Sequence, residues 1–473
     1  MPGTFFFYDL ETSGLSARTD RIMQFAGQRT DMDLNKVGEP INILVKLNDD
    51  TLPSPEAVMV TGITPQSTQA DGLTEAEFAQ FLIDEVFTPN TIAVGFNSVR
   101  FDDEFVRHLF WRTFRDPYEW AWKDGRSRWD ILDAVRMTRA LRPEGIEWPV
   151  DSEGKATNRL ELITKANGIT HQNAHDALSD VEALIDVTRL LKQKQAKLFD
   201  YLLKLRDKKE VQKLVNLDDK QPFVYTSGRY DATYHKTTVA LPLTSAPNSN
   251  VVVYDLRHDP SEFILLTEDE LAKRLFAGWQ ERKSDGFVAI PVKTLQYNRC
   301  PAVAPLGVLE QEDGWSKLDL SIERIESNKK KLLAHPDFAE RIRTVIEKRP
   351  EFPAGKEVEA KLYDGFVDGA DKLRIETVRN ADAKALADFH PNFNDERLSD
   401  LLLHYKARNY LTSLSEDEAG EWEKWRSDRL TSQLPSYMAS LQRLAQSSND
   451  KKRFLLEELQ LWAEAIMPYS GED

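Results

Sequence analysis

Residues 5–14 read FFFYDLETSG, an apolar run that ends on one acid and is followed by a second acid two residues later. Because residues i and i+2 of a strand point to the same face, Asp9 and Glu11 would present two carboxylates side by side where the apolar run ends. Adjacent like charges repel unless a cation lies between them, and Mg²⁺ is a hard cation that takes oxygen ligands. Solvated acids at an ordinary strand end show the same pattern, so the pair alone is weak evidence of a metal site.

The segments around this run predict an α/β fold for about the first 195 residues. The strand-like runs are Thr4–Tyr8, Arg21–Arg29, Ile41–Leu47 and Thr91–Phe96. Helical apolar spacing follows around Phe78–Val86, Phe105–Phe110 and Val181–Leu191, and Thr74 and Glu77 form a capping box before the first of these stretches. Three strands before the first helix predict a mixed sheet flanked by helices.

The rest of the chain changes character twice. Between about residues 196 and 345, VVVYDL and FVAIPVKTLQY are strand-like and are separated by turn-like segments, which predicts a β-rich domain. Pro350 and Pro353 mark a boundary. Four stretches with helical apolar spacing follow them and predict a helical domain.

Two further motifs place acids next to predicted elements. In NSVRFDDE (97–104), Asp102 follows a strand and could face the edge of the sheet, whereas Asp103 and Glu104 are typical acids of a first helical turn. In NAHDALSDV (173–181), Asp176 can cap a helix, with His175 just before it and Asp180 one turn inside it. Taken alone, each motif is better explained by capping and solvated side chains.

The three motifs together, in this order, resemble the histidine subclass of the DEDD-type 3′→5′ exonuclease superfamily. Further segments are similar to bacterial exonuclease I: TGITP (61–65), SRWDILDAVR, ALRPEGIEWP, RLELITKANGI, LYDGF (362–366) and YKARN (405–409). The resemblance implies a ribonuclease H-like exonuclease domain with a mixed sheet at 1–196, an SH3-like domain at 197–346 and a helical C-terminal domain at 347–473. In the family these three domains surround a channel for single-stranded DNA.

The resemblance also implies a role for each motif. Asp9, Glu11, Asp102 and Asp180 correspond to the metal-binding acids, and His175 to the general base, with Asp102 also counted as catalytic. Two Mg²⁺ ions about 4 Å apart, with Mn²⁺ as a substitute, would activate the attacking water and stabilise the departing 3′ oxygen. The implied reaction is 3′→5′ hydrolysis of single-stranded DNA to 5′-mononucleotides, with a role in DNA repair and recombination.

The net charge of −16 argues against nucleic acid as a partner, but residues 100–142 carry ten basic and eight acidic residues, a local balance of +2. Nine aromatic residues are interleaved there, and single strands are held by phosphate contacts combined with base stacking. We expect Phe105 and Phe110 to belong to the core. The resemblance implies contacts with DNA by Glu11, Thr61, Gly62, Ile63, Arg107, Tyr118, Trp122, Arg136 and Arg159, with Thr61–Ile63 lining the pocket for the terminal nucleotide.

Partners and location are predicted from less. The family docks the acidic tail of single-stranded-DNA-binding protein, and Arg142 and Tyr201 match positions implicated in that contact. VLEQEDG (308–314) is acidic where the family leads us to expect a basic residue. The one cysteine, Cys300, excludes an intramolecular disulfide and favours the cytoplasm. Phe5–Tyr8 is too short for the apolar part of a signal peptide, and no apolar run is long enough for a membrane helix. We expect a monomer.

Three alternatives remain open at this point. An RNA 3′ exonuclease of the same superfamily would carry the same acids, and no residue decides between the two substrates. A DNA-binding protein with an inactive nuclease fold predicts that an acid or the histidine is missing, whereas all five are present. A structural metal-binding protein leaves the basic and aromatic stretch without a purpose.

Overall fold

The computed structural model describes residues 3–171, 176–349, 357–446 and 448–468. It contains strands β1 (Thr4–Thr12), β2 (Ile22–Thr30), β3 (Lys36–Leu44), β4 (Thr91–Gly95), β5 (Ser127–Asp130), β6 (Phe223–Thr226), β7 (Thr237–Ala246), β8 (Asn250–Asp255), β9 (Val292–Leu295) and β10 (Ala302–Pro305). The helices of the first 214 residues are α1 (Pro55–Thr61), α2 (Pro65–Asp71), α3 (Glu75–Phe81), α4 (Asp102–Arg112), α5 (Ile131–Leu141), α6 (Leu160–Ala166), α7 (Ala177–Lys194), α8 (Ala196–Lys204) and α9 (Lys208–Leu214). The later helices are α10 (Glu268–Leu275), α11 (Trp279–Arg282), α12 (Gly314–Lys317), α13 (Ile322–Leu333), α14 (Pro336–Glu347), α15 (Gly369–Asn380), α16 (Ala383–Asp388), α17 (Arg397–Asn409), α18 (Glu416–Ala445) and α19 (Asp450–Ile466).

The chain divides into two compact units that do not follow the order of the sequence. The first unit contains Met1–Ser127, His171–Leu184 and Pro353–Asp473, and the second contains Arg128–Thr170 and Ile185–Phe352. The described N-terminal and C-terminal parts of the chain therefore belong to one unit. Across the described ranges, no helix combines the length and the apolar content needed to cross a bilayer.

The sheet of the first unit is mixed, as predicted. Its strands lie in the order β3–β2–β1–β4, with β1 antiparallel to β2 and parallel to β4. The predicted strand end is wrong in one respect, because β1 continues to Thr12 and Asp9 and Glu11 lie inside it. Pairing with β2 extends this far, since Asp9 lies opposite Ala26 and Glu11 opposite Gln24.

Alternate side chains of β1 explain how the sheet carries both a core and a polar site. Phe6, Tyr8 and Leu10 are buried in a cluster with residues of α3 and α4, which include Phe78 and Phe105. Asp9 and Glu11 point to the opposite face. The predicted capping box is present, since Thr74 and Glu77 exchange hydrogen bonds at the start of α3.

The second unit contains a five-stranded sheet in the order β10–β6–β7–β8–β9, and every neighbouring pair in it is antiparallel. This matches the predicted β-rich segment. The same stretch also forms helices α8–α14, which the strand-like sequences did not predict. From residue 357 onward the described chain is helical, as predicted.

Candidate active site

Three predicted metal ligands meet on one face of the mixed sheet. Asp9 and Glu11 come from β1 and Asp180 from the first turn of α7, and each offers a carboxylate oxygen within 4.8 Å of the others. None of the three is fully exposed. The strand period brings the first two together, and the fold of the chain brings α7 over them.

Asp102 is a fourth acid whose charge acts on this group. It is the first residue of α4 and is buried, with 5% of its surface exposed. Burial raises the pKa of Asp9 well above its ordinary value, and the charges of Asp102, Glu11 and Asp180 raise it further. Burial raises the pKa of Glu11 to about 8, with contributions from Asp180 and then Asp102. Four carboxylates thus repel one another in a partly dry site.

This arrangement fits divalent cations. The donors are all carboxylate oxygens, which hard cations such as Mg²⁺ prefer. Burial first, and then repulsion between the acids, raises the pKa of Asp9 and Glu11, and a bound cation would favour their charged forms. A pair of divalent ions would balance the charge of the four acids.

Asp103 and His171 are two neighbours of these acids that sequence reasoning missed. Asp103 was expected to be an ordinary helix-end acid, but this reading is wrong: it is buried and accepts a hydrogen bond of 2.5 Å from the Tyr8 hydroxyl. The Nε2 atom of His171 lies 2.7 Å from Asp180 Oδ1. The pattern of a histidine nine residues before an acid has no fixed meaning, so the sequence offered no signal for this contact.

His175, the predicted general base, lies outside the described residues. The helix that follows it begins as expected, because the Asp176 carboxylate accepts a hydrogen bond from the backbone N–H of Leu178.

The segment Thr61–Ile63 forms the end of α1. Gly62 has a φ of 75° and its N–H donates to the carbonyl of Val58, while the Ile63 N–H donates to the Thr61 hydroxyl. Ile63 packs against a cluster that includes Met23 and Trp462. The segment is thus held in place at a helix end that requires a left-handed residue.

The predicted DNA-contacting residues have different environments. In the first unit, the Arg107 guanidinium lies over the ring of Tyr118 at 5.6 Å and pairs with Glu104, and Trp122 is 64% exposed. In the second unit, Arg136 pairs with Asp133 at 2.6 Å. Arg159 is mostly exposed beside Glu161.

Most of the basic and aromatic stretch is structural. Phe105 and Phe110 belong to the core, as predicted. Trp111, Trp120 and Trp129 are buried as well. Five arginines of the stretch are buried too, namely Arg107, Arg112, Arg115, Arg128 and Arg139. Arg112 pairs with buried Glu75 at 2.6 Å.

The two predicted partner-binding residues lie in the second unit. The Arg142 guanidinium donates to the carbonyl of Val308 and, at 2.7 Å, to the Gln311 side chain, both in the acidic segment 308–314. Tyr201 is a half-buried residue of α8, and burial raises its pKa to about 12.

Comparison with known proteins gives three family matches along the chain. The family described as "Exonuclease" matches residues 6–188, "Exonuclease I SH3-like domain" matches 206–348 and "Exonuclease I C-terminal domain" matches 356–466. Exodeoxyribonuclease I of Haemophilus influenzae is 41% identical over 460 residues, which cover 96% of this chain and 97% of the relative. The chain belongs to the exodeoxyribonuclease I family.

Solved structures of exodeoxyribonuclease I show the same fold. Escherichia coli exonuclease I in complex with a dA16 oligonucleotide superposes with a TM-score of 0.95 at 38% identity, covering 98% of this chain and 100% of that one. The zinc-bound form of the Escherichia coli complex with single-stranded DNA gives 0.93 at 38% identity, covering 98% and 99%.

Membership in the exodeoxyribonuclease I family confirms several predictions. The resemblance to exonuclease I is confirmed, and so is the fold class of an exonuclease domain followed by an SH3-like domain and a helical domain. The chain is an exonuclease, and its family implies a divalent metal, for which the acidic group offers ligands. The exact domain boundaries and the roles of single residues stay predictions.

Proposed function

We propose that this protein hydrolyses single-stranded DNA from its 3′ end, with Mg²⁺, and releases 5′-mononucleotides. The observation that carries the proposal is the group of carboxylates on β1, α4 and α7 in a member of the exodeoxyribonuclease I family. The Escherichia coli relative, which has the same fold, is described in complex with oligonucleotides of DNA.

Asp9, Glu11, Asp102 and Asp180 would hold two Mg²⁺ ions, with Mn²⁺ as a substitute. The donor set is all oxygen, which suits these hard ions better than the sulfur and nitrogen sets typical of structural zinc sites. When bound, the two ions lower the pKa of the attacking water and stabilise the negative charge on the leaving oxygen.

Other side chains would orient the strand and move the proton. His175, when neutral, takes the proton of the attacking water. Glu11 and the segment Thr61–Ile63 contact the terminal nucleotide. Tyr118 and Trp122 stack on bases, and Arg107, Arg136 and Arg159 contact the backbone of the strand.

The wider biology is proposed from the resemblance. Degradation of single strands suits a cytoplasmic monomer that acts in DNA repair and recombination. Arg142 and Tyr201 are the proposed contacts for the tail of single-stranded-DNA-binding protein. Arg142 already contacts segment 308–314, whose acids disfavour an acidic tail, so we expect this contact to be weaker than the contact with DNA.

The test uses DNA and RNA oligonucleotides of the same sequence, labelled at either end, with Mg²⁺ or with EDTA. On DNA labelled at the 3′ end, we expect the label to be released first, as a mononucleotide. On DNA labelled at the 5′ end, we expect the labelled strand to become progressively shorter. We expect no release in EDTA. Glu11→Gln should abolish hydrolysis. The exposed Glu182→Gln, on the same helix as Asp180, is the matched control and should keep full activity.

Preferred cleavage of RNA would support the alternative substrate. Release of the 5′ label first, or full activity in EDTA, would contradict the proposal.

A further inference from the structure

Two metal ligands belong to segments that meet only in the folded chain. Asp9 lies on β1 and Asp102 begins α4. If both acids hold metal, as proposed, their carboxylates would need fixed positions, because Mg²⁺ tolerates little departure from its preferred geometry. Something must therefore hold β1 and α4 at a constant separation.

One buried hydrogen bond joins these two segments beside the ligands. The Tyr8 hydroxyl donates to Asp103 Oδ1 at 2.5 Å, and each residue is 1% exposed. Tyr8 immediately precedes Asp9, and Asp103 immediately follows Asp102. Consecutive Cα atoms are about 3.8 Å apart, so a displacement of either bonded residue is passed directly to a ligand.

The bond lies on the far side of the strand from the acids. Tyr8 packs in the core with Phe25 and Phe87, at ring distances of 6.2 and 6.4 Å, whereas Asp9 points to the opposite face. The hydroxyl therefore lies on the face of β1 opposite to Asp9 and Glu11. The aromatic core holds the ring independently, so loss of the hydroxyl removes the bond and leaves the packing in place.

We propose that Tyr8 and Asp103 are positioning residues of the metal site, and that their hydrogen bond sets the separation between Asp9 and Asp102. This inference rests on the proposed function, in which these acids hold metal. The bond is buried and short, at 2.5 Å, which suits it to fix a distance. Partners that orient metal ligands without touching the ion typically change affinity by about 10–100-fold when removed.

The test measures Mn²⁺ binding without DNA, by electron paramagnetic resonance or calorimetry, in wild type and in Tyr8→Phe. We expect the Kd for Mn²⁺ to rise by about 10-fold or more in Tyr8→Phe. Hydrolysis should fall at low metal concentration and recover as the metal concentration is raised, with the KM for DNA unchanged. A purely structural role would lower thermal stability without this recovery.

The matched control is Tyr363→Phe. Its hydroxyl also donates at 2.5 Å to an acid of α4, Glu104, but that acid lies two residues after Asp102 and is not adjacent to it. We expect no change in Mn²⁺ affinity. Equal Kd values for wild type and Tyr8→Phe, or equal losses in Tyr8→Phe and Tyr363→Phe, would overturn the inference.

Two further measurements keep the outcome interpretable. If Tyr8→Phe does not fold, Asp103→Ala carries the test, because alanine offers no acceptor for the Tyr8 hydroxyl. An unchanged Kd in folded Asp103→Ala overturns the inference. If wild type itself binds no Mn²⁺, the proposed function fails. If wild type binds and Tyr8→Phe binds equally well, this inference alone fails.

Discussion

Glu11 is a residue at which folding and metal binding make opposite demands. A cation needs its charge, but burial and the neighbouring acids raise its pKa to about 8. Without metal, the folded chain therefore keeps a proton that the unfolded chain loses near pH 4.5. Stability of the metal-free protein should fall as pH rises from about 4.5 to about 8, because there the unfolded state binds fewer protons.

Glu11→Gln should remove that part of the pH dependence. In EDTA near pH 8 we expect the variant to be more stable than wild type by on the order of 1 kcal/mol, since it no longer places a charge in the site. Thermal unfolding between pH 4.5 and 8.5 provides the measurement, and Glu182→Gln, an exposed acid, is the control. A parallel pH dependence in Glu11→Gln and wild type would show that Glu11 carries no such conflict.

His175 is predicted to act only when it is neutral. An unperturbed histidine has a pKa of about 6.5, so the rate should rise through mildly acidic pH and level off above it. His175→Ala should lower kcat by about 10²–10⁴-fold while the Kd for DNA stays the same. Comparison of the pH–rate profiles checks the role, and a variant that kept the wild-type profile would exclude it.

At the scale of elements, a single glycine determines the backbone conformation at the end of α1. Gly62 adopts a φ of 75°, and a Cβ built there meets no atom within 4 Å. A side chain would thus cost backbone strain without a clash. Because the adjacent residues are predicted to line the pocket for the terminal nucleotide, strain there should also affect the substrate.

Gly62→Ala should lower stability by about 1–2 kcal/mol, the usual cost of a non-glycine residue in this conformation, and should raise the KM for DNA. Gly168→Ala is the matched control, since Gly168 has a φ of 65° and equally open surroundings, close behind α6. Chemical denaturation and steady-state kinetics separate the two effects. An equal change of KM in both variants would argue against a substrate role for Thr61–Ile63.

At the scale of the whole molecule, buried ion pairs join the two ends of the chain within the first unit. Arg408 pairs with Asp50 at 2.6 Å and with Glu359 at 2.5 Å, and Arg21 also pairs with Glu359. All four side chains are almost inaccessible. Burial opposes the charge of Glu359, but Arg408 and Arg21 hold its pKa well below the ordinary value.

Arg408→Leu should lower the free energy of unfolding by about 3–5 kcal/mol, because Asp50 and Glu359 would keep buried charges that have lost a partner. Arg443→Leu is the control: it also removes an arginine of the C-terminal region that pairs with an N-terminal acid, Glu56 at 2.6 Å, but both groups are exposed. We expect this change to cost at most about 1 kcal/mol. Similar losses by denaturant unfolding in the two variants would contradict a special role of the buried pairs.

Local sequence patterns and the order of the motifs predicted much of the fold and of the site. Alternation along FFFYDLET determined that Asp9 and Glu11 share a face. Helical spacing determined α3 and α7, with a capping box at the start of α3 and Asp176 as the capping residue of α7. These features depend on residues close in the sequence, so the sequence alone reveals them. The three acidic motifs are themselves short local patterns, and their order along the chain indicated the family.

Tertiary structure decided which residues of those patterns are buried and what they contact. Arg107 and Arg112 look alike in the sequence, yet the guanidinium of Arg107 lies over the ring of Tyr118, whereas Arg112 forms an internal ion pair with Glu75. Asp103 looks like an ordinary helix-end acid but accepts a hydrogen bond from Tyr8. Arg21 pairs with Glu359, which follows it by more than three hundred residues in the sequence. Burial and pairing depend on segments distant in the chain, and only the folded molecule brings those segments together.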